Sequence, residues 1–135
     1  MKEYNYLAVI TSAIAGFALD FVWFTMVFRT AYMEDLARTK EQLDQGPSMV
    51  PSFIIQLAGN LVLAFVLAWL INKLNYETIV QTLRLCLLVW IGFVVAIIGP
   101  MYAFQAFPFR FFLVITIGYL IPILVSGMIL TAWKK

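Results

Sequence analysis

The stretch 49-MVPSFIIQLAGNLVLAFVLAWLIN-72 decides the fold. It contains no charged side chain, and about 20 such residues are what a helix needs to cross the hydrocarbon core of a bilayer. A lone strand there would leave its backbone N–H and C=O groups unpaired in lipid, so the run reads as a membrane helix.

Working outward, three more runs have the same character. One extends from Tyr4 to Phe28 with Asp20 as its only charge, one from Ile79 to Phe107 with Arg84 near its start, and one from Phe111 to Trp133 with no charge. The whole composition agrees. Of 135 residues 64% are hydrophobic and 12% charged, whereas soluble domains run at roughly 45–50% and 25%. A soluble domain of this size has too much surface to hide that excess. The fold class expected is all-α: a transmembrane four-helix bundle in one integral membrane domain over residues 1–135, with spans near 4–28, 49–72, 79–107 and 111–133. Ala13-Ile14-Ala15 matches a small-x-small cleavage site, but the apolar core before it is short and the one after it long, so an uncleaved first helix is expected.

Several function classes drop out on residue counts. Histidine is absent, which removes His-based nucleophile pairs and the commonest transition-metal ligand. A single cysteine, Cys86, can form neither an internal disulfide nor a thiolate cage, and within Leu85–Leu88 it reads as a small buried hydrophobe. There is no glycine-rich phosphate loop, and a net charge of +2 is too mild for nucleic acid. The expectation is no enzyme, no cofactor, no metal and no nucleic-acid partner; the partners expected are membrane lipids and either further copies of the chain or a larger membrane protein.

Short connections make sequential spans antiparallel. Phe107-Pro108-Phe109-Arg110 is a tight turn, and only the first connection has room for structure of its own. There Tyr32, Leu36, Thr39 and Leu43 fall on one helical stripe, with Glu34–Arg38 and Lys40–Asp44 as four-residue charge pairs. This predicts a short amphipathic helix in the interface, closed by Gly46-Pro47; a lid over a mouth between spans is the alternative. Basic residues number five on the side of both termini (Lys2, Lys73, Arg84, Lys134, Lys135) and four opposite (Arg29, Arg38, Lys40, Arg110), which puts both termini in the cytoplasm. Arg84 and Arg110 are expected to snorkel to the interfaces. Trp69, Trp133, Tyr4 and Tyr6 would form the inner aromatic belt, and Trp23, Tyr32 and Tyr102 the outer one.

Asp20 is the residue that needs an account. An Asp at mid-helix costs roughly 2.5–3.5 kcal/mol on insertion, and each Leu, Ile, Phe or Val returns about 0.3–0.6. The first span holds eleven of those, a total of roughly 3–7 kcal/mol, so the helix inserts without a partner for the acid. At 1.5 Å per residue Asp20 lies about 5 Å outward of mid-span, beside Gln56 at about 7 Å, Asn60 near the middle and Tyr119 at about 3 Å. These four residues are the candidate intramembrane polar cluster. Interhelical hydrogen bonding, an ion or proton relay, and a small-ligand contact are its three readings. Small residues lead to it: Ala8, Ser12 and Gly16 step to Asp20, while Ser52, Gln56, Asn60, Ala64, Ala68 and Asn72 form a second row and Gly118, Pro122 and Ser126 a third. Gly99-Pro100 and Pro122 are expected kinks.

The chain also resembles a family of small four-span bacterial membrane proteins, domain of unknown function seventeen sixty-one. Phe21-Val22-Trp23-Phe24, Leu57-Ala58-Gly59-Asn60-Leu61, Trp90-Ile91-Gly92-Phe93, the Phe104–Arg110 turn, Ile117-Gly118-Tyr119 and Trp133 carry the resemblance. It implies the four-span fold and a prokaryotic inner membrane, and it carries over no activity. The function expected is a structural or accessory one, as a homo-oligomer or as a subunit of a larger membrane complex. A small proton or cation transporter built around Asp20 is the runner-up.

Overall fold

The computed structural model describes residues 5–36, 41–42, 45–46 and 49–133. The described residues are helical with no strand. Helix α1 covers Tyr6–Val22 and runs on through a π-helical turn, Trp23–Val27. Helix α2 is Arg29–Leu36, α3 is Met49–Lys73, α4 is Ile79–Val89, α5 is Ala96–Phe104 and α6 is Phe109–Ala132; a second π-helical turn, Trp90–Val95, joins α4 to α5. Four stretches are long and apolar enough to cross a membrane: Tyr6–Val27, Val50–Lys73, Ile79–Phe104 and Phe109–Ala132, called spans one to four below.

Local chemistry sets the ends. The Asn5 side chain caps α1 by accepting from the Ala8 N–H. Thr78 and Gln81 form a reciprocal capping box at the start of α4, Thr78 Oγ1 accepting from the Gln81 N–H and Gln81 Oε1 from the Thr78 N–H. Helices α3 and α5 both end in six-residue loops closed by the N–H of Tyr76 on the Ile71 carbonyl and of Phe107 on the Tyr102 carbonyl. The residue before each donor, Asn75 or Ala106, has φ of 57°, the left-handed position such a terminus requires.

Span four is the axis. Half of its most apolar window is buried (50%), against 6% for span three. Spans one, two and four pack on each other, and span three packs on span four. The three small-residue rows meet at that joint: Ala8, Ser12, Gly16, Asn60, Ala64, Ala68, Gly118, Pro122 and Ser126 are buried, whereas Gln56 and Asn72 are half-buried and Ser52, at one end of the second row, is exposed. A side chain on Gly16 would place its Cβ 2.6 Å from Asn60 Oδ1, so glycine there lets span two's amide lie against span one's backbone. On the face where spans one and four meet at their ends, Asn5 Nδ2 donates to the Trp133 carbonyl at 2.8 Å.

Both π-helical turns begin with a tryptophan that reaches span four. Trp23 Nε1 donates to the Val114 carbonyl at 2.9 Å and Trp90 Nε1 to the Thr116 carbonyl at 2.7 Å. Trp23, expected in the outer belt, thus has its half-buried indole N–H turned onto span four, which supplies the partner such a group needs. The second π-helical turn lies just upstream of Pro100, whose ring crowds the Ala96 carbonyl four residues back. Span four, in contrast, is continuously helical through Pro122.

The connection between spans one and two is helical over α2. The stripe positions Thr39 and Leu43, the pairs Glu34–Arg38 and Lys40–Asp44, and Pro47 lie outside the described residues, as do Tyr4 and the basic residues Lys2, Lys134 and Lys135. What the structure gives for Glu34 is a different partner. Arg110, at the start of α6, donates from Nε and Nη2 to the two carboxylate oxygens of Asp35, both at 2.7 Å, and from Nη2 to Glu34 Oε2 at 3.3 Å. Tyr32 stacks on Phe111 beside this clamp, with ring centroids 5.8 Å apart.

Candidate functional site

The four clustered residues come from three helices. Asp20 ends the buried row of α1, Gln56 and Asn60 are one turn apart on α3, and Tyr119 follows Gly118 on α6. Asp20 is 6% exposed. Its Oδ2 accepts from Gln56 Nε2 and from Asn60 Nδ2, the latter at 3.3 Å. Asn60 Nδ2 also donates to the Gln56 carbonyl at 3.1 Å, which holds the amide in place. Two amide donors from one helix face therefore grip one carboxyl oxygen and lock spans one and two together.

The other oxygen is left over. Asp20 Oδ1 is buried with no hydrogen-bond partner among the described residues. An unpaired buried acceptor costs roughly 1–3 kcal/mol, more when charged, so it calls for an explanation. Asp20 itself lines a half-open cavity of about 300 Å³ whose walls also include Gly59, Leu63, Val94, Tyr119 and Ile123. Span four forms the back of this cavity, and spans two and three form its sides. A second recess, of about 190 Å³, lies between spans one and two and is walled by Phe17, Phe21, Phe24, Ser52 and Phe53. Asp20 and Gln56 line both.

Tyr119 lines the larger cavity and belongs to an aromatic chain: its ring lies 6.0 Å from Phe24, which lies 5.2 Å from Tyr32 on α2. The chain joins the interfacial helix to the cavity wall. The remaining sequence candidates sit elsewhere. Arg84 is exposed and lines neither cavity. Arg110 is the clamp on α2, and its guanidinium beside Asp35 holds that carboxyl below its ordinary value. Tyr32 is pushed up by burial.

Sequence reasoning missed the tryptophan tethers and the Arg110 clamp. Each joins residues far apart in the chain, Trp23 to Val114 and Asp35 to Arg110, and no periodicity announces such a pairing. It also missed the cavity, although Gly59 offered a signal. A Cβ on Gly59 would meet nothing within 4 Å, so this glycine is not there to admit a neighbouring helix of its own chain.

Four apolar helices of membrane-crossing length, arranged around a buried carboxyl, mark a multi-pass membrane protein. The chain belongs to the family described as protein of unknown function (DUF1761), whose pattern it matches over residues 7–131. No curated protein and no solved structure matches it.

Proposed function

We propose that the chain is a non-catalytic membrane protein that holds a small cationic solute beside Asp20 and passes it between the two recesses. The observation that carries this reading is the unpartnered Asp20 Oδ1, on a residue 6% exposed that lines a half-open cavity between the helices. A purely structural acid would be expected to have both oxygens satisfied, because half-satisfied polar groups in a low-dielectric interior are costly. The grip on Oδ2 keeps the carboxyl aimed, and breaking the Asp20–Gln56 bond would join the two spaces.

The test is current recorded from vesicles on a solid-supported membrane after concentration jumps of sodium, potassium or an organic ammonium ion. The wild type should give a transient current with at least one of them, and Asp20→Asn should give none at unchanged native mass. No current with any cation, or the same current from Asp20→Asn, refutes the proposal.

A second reading, as an accessory subunit or homo-oligomer, draws on span three. It is the least buried span, and Gly92, Ala96 and Pro100 lie exposed at four-residue steps along it, Gly92 with nothing within 4 Å of an added Cβ. Native mass with lipid retained tests this: a stoichiometric partner or multiple copies support it, and a monomer refutes it. The setting we assign is a prokaryotic inner membrane, with the Asn5–Trp133 face and Lys73 toward the cytoplasm. A topology reporter fused after Trp133 should read as cytoplasmic.

A further inference from the structure

We propose that the cavity beside Asp20 takes a lipophilic amine: one N–H-bearing ammonium group on an apolar body. This rests on the reading of the cavity as a solute site and names the class of solute.

Asp20 Oδ1 is an acceptor only, and an incoming group must supply a donor. Among the described residues no lysine or arginine lines the cavity, so a neutral donor would leave an ionised carboxylate uncompensated in hydrocarbon, and an anion would be repelled. A positive N–H group answers both needs through a charge-assisted hydrogen bond, its proton staying on nitrogen.

An inorganic cation fits poorly. Hard cations want several oxygens in one shell, and here the Asn60 side-chain oxygen is packed toward Gly16 while both amide nitrogens are spent on Oδ2. Among the described residues no group of three acidic, cysteine or histidine side chains comes together. The volume, about 300 Å³, is at the low end for organic ligand sites and far above that of a bare ion. Its other walls, Ile55, Leu63, Val94, Pro122 and Ile123, are carbon, which suits an alkyl or aryl body.

The same ammonium chemistry exists free in solution and on a phosphatidylethanolamine headgroup. Depth favours the free amine, because Asp20 lies only about 5 Å from the middle of its span at 1.5 Å per residue, below the reach of a headgroup at rest.

The experiment is calorimetric titration of the protein in phosphatidylcholine nanodiscs, with empty nanodiscs subtracted, using n-octylamine, n-octyltrimethylammonium and n-octanol. Octylamine should saturate at one per chain, and the other two should bind at least tenfold more weakly. Asp20→Asn should weaken octylamine at least tenfold. Gly59→Leu should abolish binding, since Gly59 lines the cavity and a Cβ there meets nothing within 4 Å, leaving a larger side chain open space to fill.

Equal octylamine affinity in the wild type and Asp20→Asn overturns the amine assignment. If Gly59→Leu still abolishes binding in that case, the cavity stands as a solute site and only the class falls; if Gly59→Leu also has no effect, both fall. Equal binding of octyltrimethylammonium overturns N–H donation. Adding phosphatidylethanolamine should leave octylamine binding unchanged; its loss overturns the free amine in favour of the headgroup.

Discussion

Gly118→Ala should destabilise the bundle, whereas the same change at Gly59 should not. A Cβ on Gly118 would lie 2.6 Å from Trp23 Nε1, 2.7 Å from Trp23 Cδ1 and 2.9 Å from Phe24 Cζ. Ordinary contact begins near 3.4 Å, so the Trp23 ring must retreat by about 0.8 Å and the Phe24 ring by about 0.5 Å. Trp23 is not free to do so: its N–H is on the Val114 carbonyl and its ring packs 4.5 Å from Phe28. Overpacking costs roughly 1–3 kcal/mol, and loss of the hydrogen bond about 0.5–1.5. Alanine's better helix propensity returns about 1 kcal/mol. The net loss expected is about 1–3 kcal/mol. At Gly59 and Gly92 a Cβ meets nothing within 4 Å, so alanine should be neutral or stabilising by up to about 1 kcal/mol. Reversible unfolding in mixtures of dodecylmaltoside and dodecyl sulfate, followed by tryptophan fluorescence, measures all three. If Gly118→Ala is as stable as Gly59→Ala, the tryptophan tether is not what fixes span one on span four.

Other predictions concern the periphery and the inner end. Ala106→Gly should stabilise by about 0.5–1 kcal/mol in the same assay, because a left-handed alanine is strained by roughly 1–2 kcal/mol and glycine's freer unfolded chain offsets part of the relief. Thr82→Val and Thr131→Val should each cost about 1 kcal/mol, near the range for hydrogen bonds between membrane helices. The double variant should cost little more than either, since the two hydroxyls bond each other; full additivity would show that they act separately. Arg110→Ala should free α2, seen as a sharper spectrum from a spin label at Met33→Cys. The pH response has a definite sign. Arg110 lowers the Asp35 value from 3.8, so the clamp's stabilisation is fully present above about pH 4 and is lost as pH falls through the lowered value. The label should sharpen only in that acid range, and sharpening near neutrality would refute the pairing.

The four spans were legible because lipid imposes one rule on every residue: long uncharged runs must be helices. The approach of Asp20, Gln56 and Asn60 was legible too, because antiparallel spans of equal length place residues of equal depth side by side. Asn75 announces its helix end, being tolerant of left-handed φ; Ala106 does not, because the same position normally calls for glycine or asparagine. The π-helical turns at Trp23 and Trp90 left no mark in the local sequence, since what holds each is a carbonyl on another span. The reading of Arg110 as a snorkelling side chain was a reading of depth alone. Depth could not show that Asp35, within the first connection, packs against it.

The grip on Asp20 has a consequence for the order in which the chain is made. All three partners in that grip lie in the first two spans, so the costly acid meets its amides within one hairpin, before the later spans have been synthesised. Nothing comparable holds for Trp23 or Asn5, whose acceptors are Val114 in the last span and Trp133 just past its end. A ribosome delivering this protein therefore releases first a hairpin already matched in polarity, and only at the end the helix against which it is seated.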